Sequence, residues 1–334
     1  MSDKDSSAGI ARKLPPSKTV NRMASPLLAI YDLNVLFPSA SGLVQASDGV
    51  SLNIGPGESL CLVGESGCGK TIVALGIMRL LPANAYLSGR IEFKGRNILD
   101  LTPDEMRNLR GRKIAMIFEQ PTSCLNPVLR IGEQIAEAVQ CHEMCSRKTA
   151  KKRTIELMSL VGLPAPQKLY SQYPHEFSGG MVQRAMIALS LAFRPDLLIA
   201  DEPTTSLDVT IQAQIIDLLK SLIERFNTAL LLITHDLGVA AELCTHVAVM
   251  YAGGIVEHGP LQDVMVHPRH PYTQALVRAV AGDDNHLIEG AVPELSRLPN
   301  GCRFHPRCPQ AETNCAIIRP PLKNGLRCLV EARI

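Results

Sequence analysis

The chain opens without a pattern: residues 1–25 are rich in Ser, Lys, Asp and Pro, and their few apolar positions recur with neither a helical nor a strand period. Such composition predicts a leader with no packed structure. From Leu27 the pattern changes. Leu27–Phe37 and Val50–Ile54 read as strands separated by a Ser/Gly-rich turn, and Glu58–Val63 is a short, nearly continuous apolar run with Gly on both sides, as in a buried strand. Lys70–Leu81 then spaces its apolar residues as a helix does. Gly89–Gly95 reads as another short strand and Lys113–Phe118 as another buried one. From about Asn126 to Tyr170 the pattern is mostly helical, and a further helix follows over Gly179–Phe193. The strand Leu197–Ala200, the amphipathic helix Val209–Phe226 and the buried strand Ala229–Ile233 come next. The segment Asp236–Cys244, a strand from His246 to Gly253 and short helices near Pro260–Val266 and Tyr272–Val280 complete the patterned region. After Asp283 apolar periodicity fades and Pro, Cys and Arg take over.

Short buried strands alternating with helices predict an α/β fold, a sheet covered by helices, with the helical middle stretch as a subdomain. A length of 334 residues suits one large α/β core with an appendage, or about two units of roughly 150 residues. Hydrophobic residues at 46% exclude wholesale disorder. A balance of 34 Lys+Arg against 32 Asp+Glu, with no long basic run, argues against a nucleic-acid partner. Apolar runs such as Ala229–Ile233 fall far short of the roughly 18 residues of a membrane span, and the N-terminus lacks the apolar core of a secretory signal. The expectation is a soluble chain of the cytoplasm, with its thiols reduced.

Candidate chemistry begins where Glu58–Val63 ends. GESGCGKT (Gly64–Thr71) fits the phosphate-loop pattern G-x-x-x-x-G-K-[S/T] in full, between a predicted strand and a predicted helix. Gly64, Gly67 and Gly69 allow the tight path that turns backbone N–H groups onto phosphate oxygens, and the helix start adds its dipole. The nucleotide-binding set is Gly64, Glu65, Ser66, Gly67, Cys68, Gly69, Lys70, Thr71 and Ile72, with Lys70 reaching the β- and γ-phosphates of ATP and Thr71 coordinating Mg²⁺. LLIADE (Leu197–Glu202) delivers Asp201 to the Mg²⁺ shell and Glu202 to the attacking water as general base.

The order Gly64–Thr71, FSGGMVQR (Phe177–Arg184), LLIADEPTTSLD (Leu197–Asp208) and ITHD (Ile233–Asp236) resembles the ATPase subunit of ATP-binding-cassette (ABC) transporters. The resemblance implies a phosphate-loop NTPase cassette whose two copies pair head to tail, with Ser178, Gly179 and Gly180 closing on ATP held by the other copy. It also implies that Phe37 stacks on adenine, against the plain alternative of a core strand residue. On the same ground Ser206, Leu207 and Asp208 form the loop communicating across the pair, and His235 orients Glu202 and the water. One departure stands out. The family has Gln followed by an acidic residue after the strand that matches Lys113–Phe118, whereas this chain reads Glu119-Gln120. Which of the two faces the site is left open by the sequence.

IGEQIAEAV (Ile131–Val139), DVTIQAQI (Asp208–Ile215), MYAGGIVEHG (Met250–Gly259) and HPYTQAL (His270–Leu276) narrow the resemblance to the oligopeptide/dipeptide/nickel importer ATPases. This implies a peptide importer with two transmembrane permease subunits, a second homologous ATPase subunit and an extracytoplasmic solute-binding protein, the chain lying on the cytoplasmic face of the bacterial inner membrane. A nickel or other small-solute importer, or a degenerate regulatory cassette, are the alternatives. The implied division is a leader (1–25), the cassette (26–265, helical subdomain about 126–190) and a C-terminal extension (266–334). Cys302, Cys308, Cys315 and Cys328 crowd into that extension. Four thiolates suit zinc or an iron–sulfur cluster. The resemblance favours a [4Fe–4S] cluster as a staple, with zinc or no stable metal as the other outcomes.

Overall fold

The computed structural model describes residues 25–40, 42–205, 207–280 and 288–330; the leader expected over 1–25 lies outside them except for Ser25. Ten strands organise these residues: β1 (Leu28–Ser39), β2 (Gly42–Ile54), β3 (Ser59–Val63), β4 (Tyr86–Phe93), β5 (Arg96–Asn97), β6 (Ile114–Ile117), β7 (Leu197–Asp201), β8 (Ala229–Thr234), β9 (His246–Tyr251) and β10 (Gly254–Pro260). One sheet has the order β2-β1-β4-β5 and is antiparallel. The other has the order β10-β9-β3-β8-β7-β6 and is parallel apart from its β9–β10 edge hairpin. β2 begins eight residues before the predicted Val50, because the mixed stretch after Gly42 pairs with the end of β1, Phe37 opposite Val44.

The near-continuous apolar runs belong to β3, β7 and β8, which are covered on both faces. Side chains of a strand alternate between faces, so Leu60 and Leu62 enter one core with Leu231 and Ile233, while Cys61 and Val63 enter the other with Leu230 and Leu232. The first core lies beneath β1, β2 and β4. The second receives the helices Ile131–His142, Arg147–Leu160, Pro166–Leu169 and Gly179–Ser190, all inserted between β6 and β7. In the parallel sheet the C-terminal ends of β3 and β7 lie on one edge, where ligands bind in open α/β folds. Among the described residues no helix is long and apolar enough to cross a membrane.

The expected Cys-rich extension does not stand apart. Phe304 is buried in the same core as Val63, and Ile288, Val292, Leu295 and Leu298 pack against that core. Backbone hydrogen bonds join Gln45 to Leu295, His258 to Gly325 and Arg327 to Val256. The [4Fe–4S] cluster expected at Cys302, Cys308, Cys315 and Cys328 is likewise corrected. Among the described residues no group of three or more His, Cys, Asp or Glu side chains is arranged to hold a metal ion. The Cys328 thiol instead donates to the Val330 carbonyl at 2.6 Å. Burial pushes the Cys302 and Cys308 thiols up and Cys328 to about 11, which opposes the thiolate form that metal ligation needs. Arginines fasten this segment: Arg303 reaches Asp48 and the Ala252 carbonyl, Arg319 pairs with Asp48, and Arg327 Nε donates to the Ile255 carbonyl at 2.8 Å.

Candidate active site

The phosphate-loop segment leaves β3 and enters the helix Lys70–Met78 through Gly69, whose φ of 103° is left-handed. A Cβ at Gly69 would lie 2.1 Å from the Ala46 carbonyl oxygen, so both the conformation and the space require glycine. Gly64 is equally confined, 2.2 Å from the Met250 carbonyl oxygen on the same construction. Lys70 is buried, and its Nζ donates to the Gly64 carbonyl at 2.7 Å and the Glu65 carbonyl at 3.1 Å, closing the loop around its ammonium. Cys68 is buried under the loop, Ser66 and Gly67 are exposed at its tip, and Ile72 packs into the core beneath β1.

Thr71 follows Lys70 and faces the end of β7, where its Oγ1 donates to Asp201 Oδ1 at 3.3 Å. Asp201 is 1% exposed. Burial above all, with the carboxylates of Glu119 and Glu202, pushes it up to about 6, against the Thr71 hydrogen bond and the Lys70 charge. A divalent cation would relieve that excess of carboxylate charge. Thr71 and Asp201, both oxygen donors, fit Mg²⁺, which uses one or two protein oxygens and completes its shell with phosphate and water.

Glu202 leaves β7 in a left-handed conformation, φ 45°, its N–H donating to the Ile233 carbonyl at 2.9 Å. Such strain in a non-glycine residue recurs at functional sites. It turns the carboxylate toward β8 and the residue that follows it: His235 Nδ1 lies 2.9 Å from Oε1, while Thr205 Oγ1 at 2.9 Å and Thr234 Oγ1 at 3.4 Å donate to Oε2. No sequence motif marks the two threonines for this role, nor Gln183, whose buried Nε2 donates to the Pro203 carbonyl at 2.7 Å and fixes the chain just past Glu202. Of the Glu119–Gln120 pair, Gln120 accepts a hydrogen bond from Ser123 Oγ at 3.3 Å, whereas the charge of Glu119 acts on Asp201.

Other expected residues lie in a second group. Ser178 caps the helix Gly179–Ser190, accepting from Met181 N at 3.4 Å. Asp208 caps the helix Val209–Phe226, accepting from Ile211 N at 3.0 Å. The two caps are neighbours: a Cβ on Gly180 would come within 2.8 Å of the Ile211 side chain, and one on Gly179 within 3.6 Å of Leu207. Ser206 lies outside the described residues. Phe37 is half-buried near the end of β1 and packs against the core beneath it.

The sequence profile of the ABC transporter family matches residues 47–205, and that of the oligopeptide/dipeptide transporter C-terminal region matches residues 256–315. The oligopeptide transport ATP-binding protein AppD of Bacillus subtilis is 43% identical over 318 residues, covering 92% of this chain and 97% of its own. This chain is an ATP-binding subunit of the ABC transporter family. The dipeptide transport ATP-binding protein DppD of B. subtilis is 45% identical, covering 88% of this chain and 90% of its own. Escherichia coli OppD, an oligopeptide transport ATP-binding protein, is 46% identical over 90% of this chain and 91% of its own. Among solved structures, the dimeric post-hydrolysis cassette MJ0796 bound to ADP and Pi aligns with a TM-score of 0.63 and 27% identity, over 70% of this chain and 98% of that one. The fold is thus the α/β phosphate-loop NTPase with a helical subdomain, and the chain is an ATPase of this family.

Proposed function

We propose that this ATPase powers the import of di- or oligopeptides, and that hydrolysis takes place between Gly64–Thr71 and the ends of β7 and β8. The observation that carries the catalytic reading is the Glu202 carboxylate held by His235, Thr205 and Thr234 beside the Thr71–Asp201 pair. In this reading the loop N–H groups and Lys70 hold the triphosphate, and Phe37 packs on the adenine. Thr71 and Asp201 would hold Mg²⁺, which would supply charge neutralisation for the triphosphate. Glu202 takes a proton from the attacking water, and His235 keeps the carboxylate aimed. Glu119 fills the inward place usually held by Gln, because Gln120 is engaged by Ser123. Ser178, Gly179 and Gly180 serve the nucleotide of a second homologous ATPase subunit, with Asp208 at the contact between the two.

The peptide assignment rests on the names of the relatives and on the match over residues 256–315. It implies two transmembrane permeases and an extracytoplasmic solute-binding protein, with this chain docked at the cytoplasmic face of the inner membrane. We divide the chain at residues 25 and 265, the last part being the region characteristic of this transporter group. Glu202→Gln in the assembled transporter keeps the size of the side chain and removes the base. Nucleotide binding is expected to persist while turnover falls by about 100-fold or more. Near-normal turnover rejects the assignment of the base.

A further inference from the structure

The phosphate loop carries an acidic residue, Glu65, in a place built to receive several negative charges. The C-terminal segment reaches that residue from far along the chain. Arg307 grips the Glu65 carboxylate as a fork, Nη1 to Oε2 at 2.9 Å and Nη2 to Oε1 at 3.1 Å. The Glu65 N–H donates to the Tyr272 hydroxyl at 3.0 Å. Both partners are rigidly held. The Arg307 side chain is 6% exposed and donates further to the Glu289 carbonyl at 3.1 Å and the Tyr251 hydroxyl at 3.3 Å. Tyr272 is fully buried, its ring 4.7 Å from that of Tyr251 and 5.5 Å from that of Phe304.

We propose that Arg307 and Tyr272 are positioning residues for ATP binding, acting through Glu65 to neutralise and orient the phosphate loop. The proposal rests on the reading of Gly64–Thr71 as the nucleotide site. Its physical content is electrostatic. An unpaired carboxylate in the loop repels the triphosphate, and the bidentate guanidinium both cancels that charge and fixes its direction. Tyr272 takes the one loop N–H it touches and so sets the plane of the Gly64–Glu65 peptide. The carbonyls on either side of Glu65 N are those that hold Lys70 Nζ. The C-terminal segment thereby becomes part of the nucleotide-binding machinery as well as part of the core.

The test is binding of a fluorescent ATP analogue to the purified full-length chain. Lys70→Ala calibrates it: retention of affinity in that variant rejects the nucleotide site itself, whatever Arg307 does. With the site established, Arg307→Met is expected to weaken binding about tenfold, the scale of one charge-assisted hydrogen bond. Adding Glu65→Gln to Arg307→Met is expected to restore most of the loss, because the carboxylate that needed cancelling is gone. A merely structural anchor predicts no such rescue. Tyr272→Phe keeps the ring packing and should shift affinity in the same direction as Arg307→Met. Should Arg307→Met fold poorly, Arg307→Lys retains the charge without the fork and should fall between wild type and the Lys70→Ala limit. Unchanged affinity in a folded Arg307 variant, or a double variant as weak as Arg307→Met alone, overturns the proposal.

Discussion

Asp201 is asked to carry charge in a place that resists it. It is buried among carboxylates, and its acidity is weakened from the ordinary 3.8 to about 6. Between those values the folded chain keeps a proton that the unfolded chain has released, so stability falls as pH rises through the window. The ionised side chain then costs about 2–3 kcal/mol at neutral pH. With metal chelated, Asp201→Asn is expected to stabilise the chain against urea by about 1–3 kcal/mol at pH 7.5, and by less at pH 5. A gain of equal size at both pH values would reject burial of charge as the cause. Such a gain in stability belongs with a loss of function, as expected where a site is built on strain. The loop Gly64–Thr71 and the pair Asp201–Glu202 were legible because each is a few consecutive residues at the end of an apolar run. The hydroxyls of Thr205 and Thr234 on Glu202 were not, since one depends on the left-handed turn at Glu202 and the other on the pairing of β7 with β8.

At the scale of elements, the strands of the parallel sheet could be read closely because burial on both faces leaves unbroken apolar runs. The C-terminal segment could not. It has little apolar periodicity of its own, which made four cysteines look like its staple, yet it borrows the cassette core through Phe304 and fixes itself by arginines. Those contacts cross more than 200 positions of sequence, as from Arg303 to Asp48 and from Arg307 to Glu65. Arg303 is a largely buried anchor: burial lowers its guanidinium to about 10, and Asp48, itself buried, opposes the shift. Arg303→Met removes one of two arginines that face Asp48 and should cost about 1–3 kcal/mol. Proteolysis within residues 288–330 is expected to quicken in this variant and to stay at the wild-type rate in Cys308→Ser. The reverse ranking would return the staple to the thiols.

For the whole molecule, the decisive distribution is that the groups proposed for catalysis gather at one sheet edge while Ser178, Gly179 and Gly180 form a separate group with Leu207 and Asp208. Ser178 Oγ accepts from its own helix at Met181 N, and the start of that helix presents N–H groups suited to an anion. In the proposed pairing, that anion would be the γ-phosphate held by a neighbour. A bulky cation at Ser178 should therefore spare the nucleotide bound to its own chain and damage the neighbour's turnover. In a complex with the homologous subunit, Ser178→Arg is expected to leave ATP binding at Lys70 intact and to abolish turnover at the site completed by residue 178. Placing Lys70→Ala in the same chain should add nothing at that site, since Lys70 serves the other one. The isolated wild-type chain should correspondingly hydrolyse ATP slowly, and faster per molecule as concentration drives pairing. Full activity from protein held monomeric throughout turnover, or loss of ATP binding at the mutated chain's own loop in Ser178→Arg, would show that the Ser178 helix acts within its own chain.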